Sequence, residues 1–432
     1  MKQFFCLPCV ALPLVVFLVA DVSSVHGQQQ SATPIVLHAA RLLLVDSGTI
    51  LQPAEILVQG DRIRAVGTTV DHPQGATVID LGDKTLMPGL IDAHVHLFLH
   101  PGAEDLQTVE ESVPWRVILA EQAAKADVLA GYTAERDMGT EGAGSADTAI
   151  RNAIDQGLIP GPRLRISGNA IDILGGHEDA NRYNPAQRVL SNADYANSAD
   201  QIVEVMRAQH KEGSDFAKIY ETGPDRMVDG VLQSPYQYTA AQLSAAVQEA
   251  HRLGTTVAVH AMGEPGTLYA AQAGVASIDH ATQLSDETMR LMRQKGIFAV
   301  PTFTIFDYFA HHRASQDQAA AEAEMLAYKI REFKRQMAAG VSFAVGSDVG
   351  PFPHGTQAHE LTLMVSYGMT PLAALQADLM NGAKLLGWQG QIGKLKTGYF
   401  ADIVAVPGNP LDDISTVEHV SFVMKGGVVL RQ

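Results

Sequence analysis

The apolar residues change their period twice along the chain, and the changes divide it. Between residues 34 and 86, short apolar runs alternate with turns and no helical period appears. Residues 35–45, 54–66 and 76–80 read as β segments, and Ile56-Leu57-Val58 followed by Gly60-Asp61-Arg62 reads as a hairpin. From Met87 on, apolar strands of about five residues alternate with helical patterns of about 12 to 18. Strands are predicted at 90–96, 132–138, 163–167, 216–221, 256–262, 277–281, 298–304 and 343–348. Helices are predicted at 115–129, 146–155, 199–211, 240–252, 264–273, 286–293, 319–338 and 371–386. Thr239 with Gln242 forms a capping-box pattern, and Gly254 closes the same helix. After Leu386 the chain returns to β runs at 401–406, 420–424 and 428–430, with Lys425-Gly426-Gly427 as a tight turn. Eight strand–helix pairs are the count of a (β/α)8 barrel. The expectation is therefore an α/β fold. A TIM-type barrel spans 87–390, and a small discontinuous β-sandwich is made from 28–86 and 391–432.

The first residues do not fit this pattern. Lys2 precedes an apolar stretch over 4–20 that is broken by Pro8 and Pro13, and Val25-His26-Gly27 leads into three glutamines. This reads as a secretory signal peptide over 1–27, shorter than the ~20 apolar residues of a membrane span. It places the mature protein in the periplasm or outside the cell. Cys6 and Cys9 are the chain's two cysteines and both lie in that segment. A metal site in the mature chain must therefore use N and O ligands. The formal net charge of -16 argues against nucleic acid or an anionic membrane as the main partner.

The chemistry-bearing residues fall at strand ends. Pro88-Gly89 turns into a strand that ends in His94 and His96, two residues apart and so on one face. Strand 4 carries Lys218, strands 5 and 6 end in His260 and His280, and strand 8 ends in Asp348. Each has an ordinary explanation alone: a core histidine, a capping aspartate, a lysine paired with a carboxylate. Together they converge on the C-terminal rim, where active sites of such barrels lie.

This pattern resembles the amidohydrolase superfamily, whose barrel is embedded in a β-sandwich built from both chain ends. The supporting segments include Arg136-Asp137-Met138-Gly139, Gly175-Gly176-His177-Glu178-Asp179, Pro353-His354-Gly355 and Ala401-Asp402-Ile403-Val404. They bring the chain close to the branch of Xaa-Pro dipeptidase-like and ochratoxin-degrading amidohydrolases. The resemblance implies two divalent metal ions, zinc being expected. His94, His96 and Asp348 would hold one and His260 and His280 the other, with Lys218, carboxylated by CO2, between them. It implies a metal-activated hydroxide that cleaves the C–N amide bond of a dipeptide or N-acyl amino acid, with Asp348 carrying the proton to the leaving nitrogen. The alternative within the class is a bulky aromatic N-acyl amino acid or a cyclic amide. The alternative outside it, a non-catalytic barrel scaffold, is disfavoured because all six ligand positions are filled. Tyr220 and His177 are candidate catalytic and substrate-binding groups, and Arg136 and His354 are candidate substrate-carboxylate or supporting groups. His100 is assigned to the rim. Met262 stands where relatives often carry a polar residue, and Phe303, Phe306, Tyr308 and Phe309 could add an apolar wall. The expected partners are a small-molecule or dipeptide substrate and further copies of the chain, with no nucleic acid and no membrane insertion after signal cleavage.

Overall fold

The computed structural model describes Met1 and residues 33–432, apart from 180–183, 185, 187, 188 and 313–315. The predicted signal peptide, Met1 excepted, lies outside the described residues. Residues Thr33–Gln432 form one compact unit. Among the described residues no helix is long and apolar enough to cross a membrane.

Two parallel sheets carry the site. Leu90–Val95, Tyr132–Asp137 and Arg163–Ile166 form the first. Ala170–Asp172, Ala217–Tyr220, Val257–Ala261, Ser277–His280 and Phe298–Val300 lie side by side in the second, with Ala193–Tyr195 at its edge. The chain between Ile166 and Ala170 carries the third predicted strand from one sheet into the other. Opposite it, residues 342–349 bond to both sheets. Ala299 N–H donates to Ser342 C=O at 2.9 Å, and Ala93 N–H donates to Val345 C=O at 2.9 Å. Asp348 N–H donates to His94 C=O at 2.8 Å. The arrangement is of the TIM-barrel type, without one uninterrupted ladder.

Two predicted strands are corrected. Residues 343–348 are extended but make isolated bridges only, at Phe343 and Val349. Gly346 passes so close to its neighbours that a Cβ there would stand 2.5 Å from Val300 Cγ1 and 2.7 Å from His94 Cβ. Asp348 then leaves the extended region with φ 65°. The predicted strand 298–304 ends at Val300, and a helix, Phe303–His312, follows. Its first N–H groups are received by a distant carboxylate: Phe303 N–H and Thr304 N–H donate to Glu360 at 2.8 and 2.6 Å. Nothing near Phe303 in sequence announces that cap.

The predicted helices form, and the one with predicted caps has them. Thr239 and Gln242 make the capping box, and Gly254 closes Ala240–Leu253 in the left-handed conformation. The predicted helix 371–386 is divided by a π turn at Ala377–Asn381. A hairpin, Arg226–Val228 with Val231–Gln233, was not anticipated.

Of two further sheets, one is built from strands between residues 35 and 80 alone, and in the other both chain ends meet. Ile403–Pro407 pairs antiparallel with Lys84–Pro88, so the C-terminal run lies on the strand that leads into the barrel. Leu37, Ile56, Leu86, Ile403, Phe422 and Met424 share one buried apolar cluster. Burying each such side chain contributes about 1.5–3 kcal/mol. That packing anchors Pro88 and Gly89. Gly89 N–H donates to Asp402 C=O at 3.0 Å, and a Cβ on Gly89 would stand 2.2 Å from Thr133 Oγ1. The turn therefore needs glycine, and it aims the strand that ends in His94 and His96.

Candidate metal centre

The first strand delivers two imidazoles and residues 342–349 deliver a carboxylate to the same point. His94 Nε2, His96 Nε2 and Asp348 Oδ1 lie 3.3–3.4 Å from one another. Donors placed tetrahedrally at about 2.0–2.1 Å from one ion are separated by about 3.3–3.4 Å. The three atoms fit one divalent ion.

Each of the four histidines is held from behind. His94 Nδ1 faces Asp279 Oδ1 at 3.2 Å, and Asp279 in turn accepts Arg136 Nη2 at 2.9 Å and Ser277 Oγ at 3.0 Å. His96 Nδ1 lies 3.1 Å from Glu141 Oε1. His280 Nδ1 meets Thr302 Oγ1 at 2.8 Å, and His260 Nε2 meets Asp225 Oδ2 at 3.1 Å. Partners of this kind fix ring orientation and leave the opposite nitrogen for an ion. By that rule His94, His96 and His280 offer Nε2, and His260 offers Nδ1. A further close group is His177, Asp225 and His260, whose donor atoms lie within 4.8 Å of one another.

Backbone strain gathers here. Among the described residues, six non-glycines have positive φ, and Glu141, His280, Ala281, Thr302 and Asp348 are five of them. Such conformations cost about 1–3 kcal/mol each and persist where the surroundings enforce them. Lys329 supplies part of the enforcement: its buried ammonium donates to His280 C=O at 2.5 Å and to Thr282 Oγ1 at 3.1 Å. The left-handed turn at His280 also breaks strand alternation. Asp279 and His280 are adjacent, yet both act on the centre.

Lys218 is completely buried, and its Nζ has no hydrogen-bond partner. Burial pushes its amine down toward the neutral form. A buried amine without a partner among imidazoles and a carboxylate fits a group that is completed by conversion to an anionic ligand. Burial, then Lys218, lower His94 to about 4. Burial, then the neighbouring His260, His94 and Lys218, hold His280 well below its usual value. Burial pushes the Asp348 carboxyl up, but His94, His96 and Lys218 outweigh it and keep it ionised. Burial pushes His96 down, but Asp348 and Glu141 outweigh it and hold its imidazole well above the ordinary value.

The site opens into a cavity of about 290 Å³. The structure brings His94, His96, Lys218, His260, His280 and Asp348 together there, and sets His177 and Tyr220 at the same wall. His177 and Tyr220 stack, with centroids 4.9 Å apart and planes 10° apart, and His177 also lies 4.3 Å from the His260 ring. It does not bring Arg136 or His354 to the cavity. Arg136 is buried against Asp279 and the Ala93 carbonyl. His354 pairs with Asp127 at 2.8 Å. His100 is likewise outside the cavity, paired with Glu111 at 2.8 Å. Met262, Phe306 and Phe309 join Leu99, Ile305 and Met325 in an apolar wall. Phe303 packs instead on Phe333 and Tyr367, and Tyr308 on Phe352.

Asp279, Glu141, Asp225 and Thr302 escaped the sequence reading. Asp279 precedes His280 in a strand of which only the last residue is singled out in the sequence. Glu141 and Asp225 lie in loops, where no period marks a direction, and Thr302 lies beyond Val300, where the expected strand ends early.

Comparison with known proteins agrees with this geometry. Residues 85–430 match the amidohydrolase family. The ochratoxinase of Aspergillus niger is 30% identical over 91% of this chain and 86% of its own length. A Xaa-Pro dipeptidase solved with methionine in its active site superposes with TM-score 0.84 at 30% identity, covering 93% of this chain and 100% of that one. A prolidase complexed with N-methylphosphonate-L-proline superposes with TM-score 0.83 at 28% identity and the same coverage. The chain therefore belongs to the amidohydrolase family and is a hydrolase acting on carbon–nitrogen bonds.

Proposed function

We propose that the protein is an exported hydrolase that cleaves the amide bond of a dipeptide or small N-acyl amino acid, with Xaa-Pro dipeptides as the preferred class. The observation that carries the choice is the cavity of about 290 Å³, just below the roughly 300–1,000 Å³ of drug-sized ligand pockets. The likeness to a Xaa-Pro dipeptidase and a prolidase supports it. A second reading, a bulky aromatic N-acyl amino acid, draws on the likeness to ochratoxinase and on the Met262, Phe306, Phe309 and Met325 wall.

His94, His96 and Asp348 would hold one divalent ion and His260 and His280 the other, with zinc suited to these N and O donors. Lys218 would lie between them as a carbamate. Its neutral Nζ adds to the carbon of CO2, an N–C bond forms and a proton leaves, giving an anionic oxygen ligand. When bound, the ion pair supplies Lewis acidity and a water whose pKa is brought near neutrality.

The chain's own groups do the rest. Asp348, ionised at the cavity floor, takes the proton of the attacking water and passes it to the leaving nitrogen. The hydroxyl of Tyr220, which burial keeps protonated, and the imidazole of His177 hold the substrate carbonyl or carboxylate. Among the described residues the cavity lining has no lysine or arginine besides Lys218, so a substrate carboxylate falls to these two groups. Arg136 acts at a distance, fixing Asp279 behind His94. His354 braces the loop after residue 349 through Asp127.

For the fold, the backbone bonds of residues 342–349 to both parallel sheets support a closed (β/α)8 barrel. The shared apolar cluster supports a β-sandwich at the chain ends. The apolar segment over 4–20 supports export.

The test is a panel of Xaa-Pro dipeptides, N-acetyl amino acids and aromatic N-acyl-phenylalanines, assayed with zinc-loaded protein. The expected result is highest kcat/KM for Xaa-Pro substrates, loss on chelation and return with zinc. A tenfold or greater preference for the aromatic acyl-phenylalanines would favour the second reading. No turnover of any amide by the loaded protein would end the proposal.

A further inference from the structure

Behind His260 the geometry differs from the other three histidines, and the difference comes from one residue. Asp225 is almost completely buried, at 4% side-chain exposure, and follows the fourth strand by five residues. Its Oδ2 meets His260 Nε2 at 3.1 Å and accepts Thr222 Oγ1–H at 3.2 Å. Its Oδ1 accepts from Ser234 Oγ. Thr222 Oγ1 in turn accepts the Met262 N–H at 3.0 Å. Thr222 and Ser234 stand at the two feet of the hairpin formed by Arg226–Val228 and Val231–Gln233, and Gly223 N–H donates to Pro235 C=O at 3.0 Å across them. Higher up, Leu232 and Met227 of the hairpin pack with Met262, Met325, Tyr328 and Phe306. Met262, Met325 and Phe306 also line the cavity.

We propose that Asp225 is a positioning residue that selects the nitrogen His260 offers to the centre and ties that ring to the hairpin packed behind the apolar wall of the cavity. Engaging Nε2 leaves Nδ1 as the ligating nitrogen, the reverse of His94, His96 and His280. Because the same carboxylate accepts from Ser234, a change in the hairpin stem reaches the second ion. The seating of the apolar wall and the geometry of the centre then form one unit. The inference rests on the metal centre in the proposed function but not on the choice of substrate.

The experiment uses the full-length chain loaded with cobalt, and compares Asp225→Asn and Asp225→Ala with wild type. The readouts are ion content after dialysis against a graded chelator, the cobalt visible spectrum, and kcat and KM on an Xaa-Pro dipeptide. Asp225→Ala should retain the second ion about 10- to 100-fold less tightly, the usual cost of losing such a partner. Its spectrum should shift, and the first ion should be held as in wild type. Asp225→Asn keeps the shape, so a matching spectral shift in it excludes misfolding as the cause. Ser234→Ala, which removes one of the groups that hold Asp225, should raise KM and weaken the second ion by less than Asp225→Ala does, and second-ion retention equal to wild type would break the link to the hairpin. Wild-type spectra and retention in both Asp225 variants would overturn the proposal. So would equal weakening of both ions, which marks general destabilisation. A wild-type protein that binds no metal would overturn this inference and the metal centre together. One that binds two ions but cleaves nothing in the panel would overturn only the substrate reading.

Discussion

The two sides of the centre are built to different standards. On one side His94, His96 and Asp348 already stand at ion-holding separations of 3.3–3.4 Å, and the carboxylates Asp279 and Glu141 stand behind the two rings. On the other, His260 and His280 are oriented by Asp225 and Thr302, yet the group between them, Lys218, has no hydrogen-bond partner at all. The first side is pre-organised for an ion. The second, on the proposed function, would be completed by carbamate formation at Lys218, and it faces His177 and Tyr220. On the proposed function one side would hold and the other would work. Backbone strain is shared between them, at Glu141 and Asp348 on the first side and at His280, Ala281 and Thr302 on the second.

The largest effect is expected at Asp348, the residue that touches both sides: its Oδ1 faces His94 and His96, and its Oδ2 lies 3.9 Å from His280 Nδ1. Asp348→Asn removes the proton carrier and should lower kcat about a thousandfold. Steady-state kinetics check it, and unchanged turnover would remove Asp348 from the chemistry. Next comes Lys218→Ala. If the sides differ as described, it should lose the second ion and keep the first, taking metal content to half the wild-type value by elemental analysis. Simultaneous loss of both ions would show one cooperative site and dissolve the distinction.

The ligands of both sides were legible in the sequence, and the groups that orient them were not. His94 and His96 sit on an apolar strand after a Pro-Gly turn, where period-two alternation assigns a direction to each side chain. The strand ends carrying Lys218, His260, His280 and Asp348 followed from the βα period in the same way. What that period cannot register is a departure from it. His280 and Asp348 leave the extended region, so neighbours of opposite expected direction reach the same centre, and Asp279 was passed over. Asp225, Glu141 and Thr302 act from loops. Glu360 caps the helix beginning at Phe303 from 57 residues away in sequence, which is why a strand was expected through Thr304. Arg136 was read correctly as a strand residue near the centre. Which neighbour it meets is a tertiary fact, and Asp279 takes its guanidinium before any substrate could.

Smaller effects separate the two sides further. Asp279→Asn cuts the support behind His94 without touching the second side. It should weaken the first ion about 10- to 100-fold and leave KM for a dipeptide unchanged. Competition with a chromophoric chelator measures the first quantity. A change confined to the second ion would contradict the assignment.

The smallest expected effect is in proton release. In the metal-free protein Asp348 and Glu141 hold His96 well above its ordinary value despite burial, so it carries a proton near neutral pH. His94, lowered to about 4 by burial and Lys218, carries none. An ion entering the first side must displace the His96 proton, so its affinity should rise about tenfold per pH unit below the His96 pKa. His260 and His280 are both held low, chiefly by burial, and have no proton to give. Uptake on the second side should then depend on the carbamate, which a neutral Lys218 amine forms from bicarbonate with loss of water and no net proton. Calorimetry of zinc uptake in two buffers of different ionisation heat, with and without bicarbonate, reads the two sides apart. In CO2-free buffer only the first ion should bind tightly, with release of the His96 proton, and bicarbonate should add tight uptake of the second. Second-ion uptake that ignored bicarbonate would leave Lys218 an amine, and the two sides would differ in packing rather than in chemistry.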